Sequence, residues 1–336
     1  MGGLGLLFRR RAIQAHLTKG SDYILFEDAE VERILLSKGV SSDGVGITKE
    51  DAARVTSISN WFTNNTTIKT FNEFRFFTSI TRLGATLASS ASRDAFAGCS
   101  SLRNVELPPY LMYIGSVAFF RCDALENVGM PETIVEIGAG AFRSAGAPKI
   151  VNSPKLESLP KFIDVDLSYT FRLSKVQRVE NLGNVKETFG KWSANTSTDR
   201  YGVFYECENL EYADISNLEI VGYCMFGRCG ALKDVIMHKA KIIRSGAFIS
   251  CNGLEKLRFP QTLTQLQEFS VAYCNKLTTL IFESVAPPSL DVYSLDNLPS
   301  LESIYVPDAS VDAYKTASNW SSFANKIKPL SEYQGE

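Results

Sequence analysis

One spacing runs through most of this chain and limits what it can fold into. Cys207, Cys229, Cys251 and Cys274 stand 22, 22 and 23 residues apart, and Cys99 and Cys122 stand 23 apart. Each is followed by the same apolar pattern. After Cys99 come Leu102, Val105, Leu107 and Pro108; after Cys122 come Leu125, Val128 and Pro131. After Cys251 come Leu254, Leu257, Phe259 and Pro260, and after Cys274 come Leu277, Leu280 and Phe282. A phenylalanine often precedes the cysteine by three residues, as in Phe96, Phe119, Phe204, Phe226 and Phe248. The last unit places Leu298 in the cysteine slot, ahead of Leu301, Ile304, Val306 and Pro307. Six of the seven cysteines share the slot, and Cys224 lies outside it. Self-similarity at 20–50 residues signals a stacked repeat architecture.

The unit reads A-F-x-x-C-x-x-L-x-x-[VIL]-x-[LFV]-P, followed by a second short run such as Thr133–Gly138. Its end alternates with period two, the mark of a strand with one buried face, and the proline or glycine after it marks a turn. One such unit cannot bury its apolar face alone, whereas stacked units share a continuous core with neighbouring strands ~4.8 Å apart. Cysteine suits the tight buried corner of each coil as a small apolar residue. The ladder does not have the form of a zinc site, which wants C-x₂₋₄-C pairs or nearby histidines.

Between about 145 and 200 the register loosens. Leu156 and Leu182 read as leucine slots of two longer turns, and Lys191–Arg200 reads as a polar surface insertion or a binding loop. At the N-terminal end, Glu27–Lys38 carries Val31, Ile34 and Leu35 at helical spacing, and Thr48 with Asp51 forms a capping-box-like start to a second helix. The stretch between them, Ser41–Asp51, resembles a degraded EF-hand loop. Ser41 and Val45 occupy two acidic slots and the loop is one residue short, so it reads as a structural helix–turn–helix without calcium. Trp61, Phe62, Phe71, Phe74, Phe76 and Phe77 supply bulk for a first irregular turn. At the other end Val311, Tyr314, Trp320, Phe323 and Ile327 read as short helices over the last strand. The expected organisation is an N-terminal arm (1–21), a helical N-terminal cap with the first irregular turn (22–90), a solenoid of about nine turns (91–307) and a C-terminal cap (308–336).

Composition excludes several classes of function. Formal net charge is −2 over 336 residues, and the one basic run, Arg9-Arg10-Arg11, is no nucleic-acid footprint. No apolar stretch approaches the ~18–20 residues that span a bilayer. The start, MGGLGLLFRRRAIQAHL, has its short apolar run before the arginines, the reverse of a secretory signal, and Gly2 lacks the Ser or Thr of a myristoylation site. There are two histidines, His16 and His238, neither set in a nucleophile motif, and no phosphate loop, G-x-S-x-G or dinucleotide fingerprint. Asp164 and Asp166 are an acidic pair with nothing further to mark them as glycosidase groups. The expectation is a non-enzymatic chain with no cofactor and no metal.

The repeat unit resembles the BspA-type leucine-rich repeat of gut and oral Bacteroides-group bacteria. The ending Ile304-Tyr305-Val306-Pro307…Tyr314-Lys315…Trp320 resembles that family's C-terminal cap, and the likeness covers roughly residues 90–330. It implies an α/β repeat solenoid, right-handed and rich in short β-strands, with a role in recognition or adhesion at a cell surface. Without a visible signal the chain's location stays open between surface, virion and cytoplasm. Its start is similar to that of proteins from prophage regions, so a phage structural component using the solenoid for attachment or assembly is the alternative.

On the first reading, a protein or glycan partner contacts the exposed positions of the strand ladder. From the register these are Arg103, Asn104, Glu106, Glu126, Asn127, Glu211, Tyr212, Lys233, Asp234, Glu255, Lys256, Arg258, Glu302 and Tyr305, with Ser303 beside them. An extended surface of mixed charge suits a macromolecule better than a small molecule, which wants an apolar pocket. Nothing in the sequence fixes a homo-oligomeric state.

Overall fold

The structure, a computed structural model, describes residues 22–84, 95–146, 150–152, 155–156, 170–188, 190–191 and 201–335. The chain divides into two compact units, Met1–Pro148 and Lys149–Glu336. Each is a stack of coils with one short strand on each of two faces, and within each face the strands pair in parallel.

In the first unit the front strands are β1 (Thr70–Phe71), β3 (Asn104–Glu106) and β5 (Asn127–Gly129). The back strands are β2 (Arg82–Leu83), β4 (Tyr113–Ile114) and β6 (Glu136–Ile137). In the second unit β7 (Ile150–Asn152), β8 (Arg178–Asn181), β11 (Tyr212–Asp214) and β13 (Asp234–Ile236) form one front sheet. A second front sheet follows, of β15 (Lys256–Phe259), β17 (Thr279–Phe282), β19 (Ser303–Val306) and β20 (Ile327–Pro329). Its back sheet joins β12 (Ile220–Val221), β14 (Ile242–Ile243), β16 (Gln265–Leu266) and β18 (Ser289–Leu290), with Glu187 bridging to Ile220. The hairpin β9 (Gly190–Lys191) and β10 (Tyr201–Gly202) is antiparallel and flanks residues 192–200, which lie outside the described residues. Both strands of a coil are described for about eight coils, against the nine or so expected.

Register follows the sequence pattern: Leu257 pairs with Leu280 and Leu280 with Ile304, so apolar side chains stack coil on coil. Phenylalanines form the spine. Phe62, Phe96, Phe119 and Phe142 stack at 5.4, 5.4 and 5.1 Å between ring centroids. Phe171, Phe204, Phe226 and Phe248 do the same at 5.2, 5.7 and 5.4 Å. All eight are buried, each worth about 1.5–3 kcal/mol on burial. The expected leucine slots Leu156 and Leu182 in the loosened region are buried as well.

The cysteine slot does more than fill space. Each ladder thiol donates to the carbonyl of the phenylalanine one coil earlier: Cys99 to Phe62, Cys122 to Phe96, Cys207 to Phe171, Cys229 to Phe204, Cys251 to Phe226 and Cys274 to Phe248. The distances run from 2.9 to 3.1 Å. The residue just before the slot is left-handed, with φ from 47° at Asn297 to 79° at Gly98. That conformation turns its amide along the stack, so that Gly98 donates to Phe120, Arg228 to Ile249 and Ser250 to Ala272. A second left-handed corner recurs at Val117, Gly140, Cys224, Gly246, Phe269 and Tyr293. Cys224, off the ladder register, is thus a corner residue.

Two of the helices expected at the N-terminal end are present, α1 (Ala29–Ser37), with Asp28 as N-cap, and α2 (Lys49–Arg54), with the Thr48–Asp51 capping box complete. Between them Asp43 accepts from Ser41 Oγ at 3.0 Å, Val45 N at 2.8 Å and the Tyr23 hydroxyl. Those donors hold its carboxyl down at about 2. Past the last coil, α3 (Val311–Thr316) and a 3-10 turn at Ser321–Phe323 place Trp320 edge-on against both Phe282 and Tyr314. Ile327 departs from the helical expectation. It starts strand β20, which pairs with β19 and ends the sheet on Pro329, a residue that cannot donate to a further strand.

Candidate recognition surface

Period-two alternation lifts every second side chain of the front strands to solvent. In the first unit the named residues form two cross-coil pairs: Arg103 with Glu126 at 2.7 Å, and Asn127 Nδ2 donating to Asn104 Oδ1 at 2.6 Å. Glu106 lies across Gly129, where an added Cβ would stand 1.8 Å from its Oε2. In the second unit Lys233 reaches Glu211 at 3.8 Å. Tyr212, in register with Arg178 and Asp234, holds the Arg178 guanidinium 4.1 Å over its ring. Burial, then the Asp214 charge, pushes the Tyr212 hydroxyl up. Such exposed pairs contribute little to stability, and they neutralise much of the row.

Between β13 and β15 the front sheet divides, so Glu211, Tyr212, Lys233 and Asp234 belong to a different sheet from Lys256, Arg258 and Tyr305. The latter three come together with residues the repeat pattern did not point to. Tyr333 packs edge-on to Tyr305 at 5.1 Å, with Lys256 and Arg258 each 6.0 Å from its ring. Lys328, on β20, is 6.0 Å from the Tyr305 ring, and Glu283 pairs with Arg258 at 2.8 Å. Glu255 and Glu302 are exposed on the preceding row. Ser303 is a correction: it shares the face of Tyr305 on β19 but is buried, covered by Lys328, whose Nζ donates to its hydroxyl at 2.8 Å. Tyr333 and Lys328 follow the last repeat, so no register could place them; their only signal was an aromatic and a cation in a short apolar run.

The ladder thiols are held protonated at neutral pH. Burial pushes Cys99, Cys207 and Cys274 up to about 12 and raises Cys122, Cys229 and Cys251 well above 9.0. A protonated buried thiol is neither nucleophile nor metal ligand. Among the described residues no group of three or more His, Cys, Asp or Glu is placed to hold a metal, and no helix is long and apolar enough to cross a membrane. His238 is exposed, while His16, Asp164 and Asp166 lie outside the described residues.

Parallel coils of about 22 residues, each with a leucine slot and a solvent-facing strand, define a leucine-rich-repeat solenoid of the recognition type. The chain belongs to the BspA-type leucine-rich repeat family, whose model matches residues 69–189 and 197–325 in six copies. Solved structures similar to it include a leucine-rich repeat protein from Bacteroides ovatus, at 15% identity over 82% of this chain and 87% of that one, with a TM-score of 0.28. The pneumococcal vaccine antigen PcpA matches at 16% identity over 75% and 76% of the two chains, with a TM-score of 0.37. A leucine-rich cell surface protein from Faecalibacterium prausnitzii matches at 16% identity over 68% and 76%, with a TM-score of 0.26. No curated protein matches the chain by sequence.

Proposed function

We propose that this chain is a non-catalytic recognition protein that binds a protein partner through the solvent face of its front strands, with the contact centred in the second unit on Lys256, Arg258 and Tyr305. The observation that carries this is the gathering of three cations and two tyrosines, Tyr305 and Tyr333, on and beside adjacent strands. Tyrosine and arginine dominate the energetics of protein interfaces, because they present large rigid area with a polar edge. The strands beneath are fixed by the stacked core, so little ordering cost accompanies binding. The cationic side chains of Lys256, Arg258 and Lys328 favour an acidic stretch on the partner. Within the second unit Glu211, Tyr212, Lys233, Asp234, Glu255 and Glu302 belong to the wider polar surface, while Arg103, Asn104, Glu106, Glu126 and Asn127 line the front strands of the first unit. No observation favours the virion alternative, and it is not carried further.

The test is the full chain on an array of mucosal and bacterial surface proteins and glycans. We expect protein binding that weakens with salt and falls at least tenfold in Tyr305→Ala and Arg258→Ala. Binding indifferent to both substitutions, or confined to glycans, overturns the assignment.

A further inference from the structure

Alternation along β17 sends Ile281 to the solvent face, in register between Arg258 on β15 and Tyr305 on β19. Yet Ile281 is 0% exposed. An isoleucine on that face needs a lid to lose all contact with water. The ring placed to cover it is Tyr333, 5.1 Å from the Tyr305 ring and 6.0 Å from the Arg258 guanidinium. The result is a seat with an apolar floor, an aromatic wall and cations at its rim, Lys256, Arg258 and Lys328. Protein interfaces concentrate their binding energy in such seats, where an aromatic anchor fills a desolvated pocket inside a polar rim.

The occupant is held differently from the rings of the C-terminal cap. Tyr314 and Trp320 are buried, and they donate to the Ser284 and Pro288 carbonyls at 2.8 and 2.7 Å. Tyr333 stands outside the core, after a 3-10 turn at Leu330–Glu332, and its amide bonds back to Leu330 at 3.0 Å. Of Ser331–Gly335 it alone is not exposed. The Ser331 amide donates to the exposed Asp308 carboxylate at 3.0 Å. An exposed hydrogen bond exchanges with water and adds little, so the hold of Ser331–Gly335 on the face rests chiefly on one ring.

We infer that Leu330–Gly335 is a displaceable strap, and that Tyr333 stands in for a tyrosine of the protein partner. Binding lifts the strap, and a partner tyrosine with an acidic residue beside it takes the seat over Ile281. This rests on the reading of the face as a protein contact. The strap itself pairs a carboxylate with the ring, as Glu332 and Tyr333. Lys256, Arg258 and Lys328 are the groups that such a carboxylate on the partner meets. A competitor sees only the molecules whose strap is up, so its apparent affinity falls by that fraction.

The experiment follows, by anisotropy, a fluorescein-labelled peptide of residues 330–335, LSEYQG, titrated with the full chain. We expect it to bind the Tyr333→Ala chain at least tenfold more tightly than the parent. Adding Tyr305→Ala, or placing alanine for the peptide's tyrosine, costs at least tenfold, and glutamine for the peptide's glutamate weakens binding. Asp308→Ala keeps every ring and removes the acceptor that ties down Ser331; it raises the peptide's affinity by about threefold. No binding to the Tyr333→Ala chain, equal affinity for that chain and the parent, an affinity unmoved by Asp308→Ala, or binding that survives Tyr305→Ala overturns the inference. The peptide needs no natural partner, so its failure leaves the array result standing, and an array without a partner leaves the strap standing.

Discussion

Replacing Cys251 tests whether the cysteine slot is fitted to sulfur's reach as well as to its volume. Its thiol is fully buried and donates to the Phe226 carbonyl at 3.0 Å, a carbonyl that also accepts the Cys229 amide within its own coil. Cys251→Ala removes one sulfur. The lost transfer is comparable to a buried methylene, about 0.8 kcal/mol. A residual void of roughly 20 Å³ adds about 0.5 kcal/mol, and the weak S–H···O contact adds about 0.5 kcal/mol. The expected cost is about 1–2 kcal/mol. Cys251→Ser is the discriminating variant. A serine oxygen sits closer to its Cβ than sulfur does and falls short of the Phe226 carbonyl, while its hydroxyl loses water at a cost of about 1–3 kcal/mol. The order of stability is therefore Cys above Ala above Ser, measured by equilibrium urea unfolding of the full chain. Serine falling between cysteine and alanine would mean that its hydroxyl reaches the Phe226 carbonyl, and the argument from sulfur's longer reach would be wrong.

The other expectations concern the same architecture. The thiol contribution to stability is flat below pH 8 and falls above the ordinary thiol value of 9.0. A thiol whose folded pKa is raised keeps its proton in the native state, so its contribution is present at low pH and lost as pH climbs toward about 12, by about 1.4 kcal/mol per pH unit for each thiol; a urea midpoint unchanged from pH 8 to 10.5 contradicts the burial. Ellman's reagent leaves the ladder thiols untouched in the native chain and titrates them only on unfolding. At the left-handed corner, Ser250→Gly raises stability by about 0.5–1 kcal/mol as strain relief outweighs chain entropy. Gly98→Ala lowers it by more than about 1 kcal/mol, since the new Cβ stands 2.4 Å from Asn64 Oδ1. Thr48→Ala costs about 1 kcal/mol by opening the capping box, seen as faster amide exchange in α2.

The repeat was legible because its apolar slots recur with fixed spacing, and spacing survives any choice of exposed residue. The leucine, phenylalanine and cysteine positions, the strand after each and the capped helix at Thr48 all follow from that logic. The left-handed corners were not legible. Glycine marks only some of them, and Arg121, Glu206, Arg228 and Tyr273 carry no sign of positive φ, because the conformation is imposed by the neighbouring coil's carbonyl. Ile327 reads as helix in the sequence because a short apolar run has no decisive period; the open edge of β19, with which it pairs, decides it. The recognition residues were half legible. Arg258 and Tyr305 lie in the register, whereas Tyr333 and Lys328 reach them from a segment that has none.

The difference between corner and strand bears on function. On the strands an exposed residue fits the backbone whatever its identity, so exposure of Glu211 or Lys233 alone says nothing about selection for a ligand. At the corners the backbone is fixed first and most side chains are disfavoured, so an aromatic ring there works against the local preference. Elsewhere the corners carry Val117, Arg121, Leu173 and Glu206 as well as glycine and serine, so a positive φ alone does not mark a residue as chosen for a ligand. Tyr273 and Tyr293 each stack on Phe269, and that contact offsets the local backbone cost. A chain in which both are asparagine is therefore expected to melt lower than the parent. A melting temperature at or above the parent's would mean that the backbone strain outweighs the ring contacts.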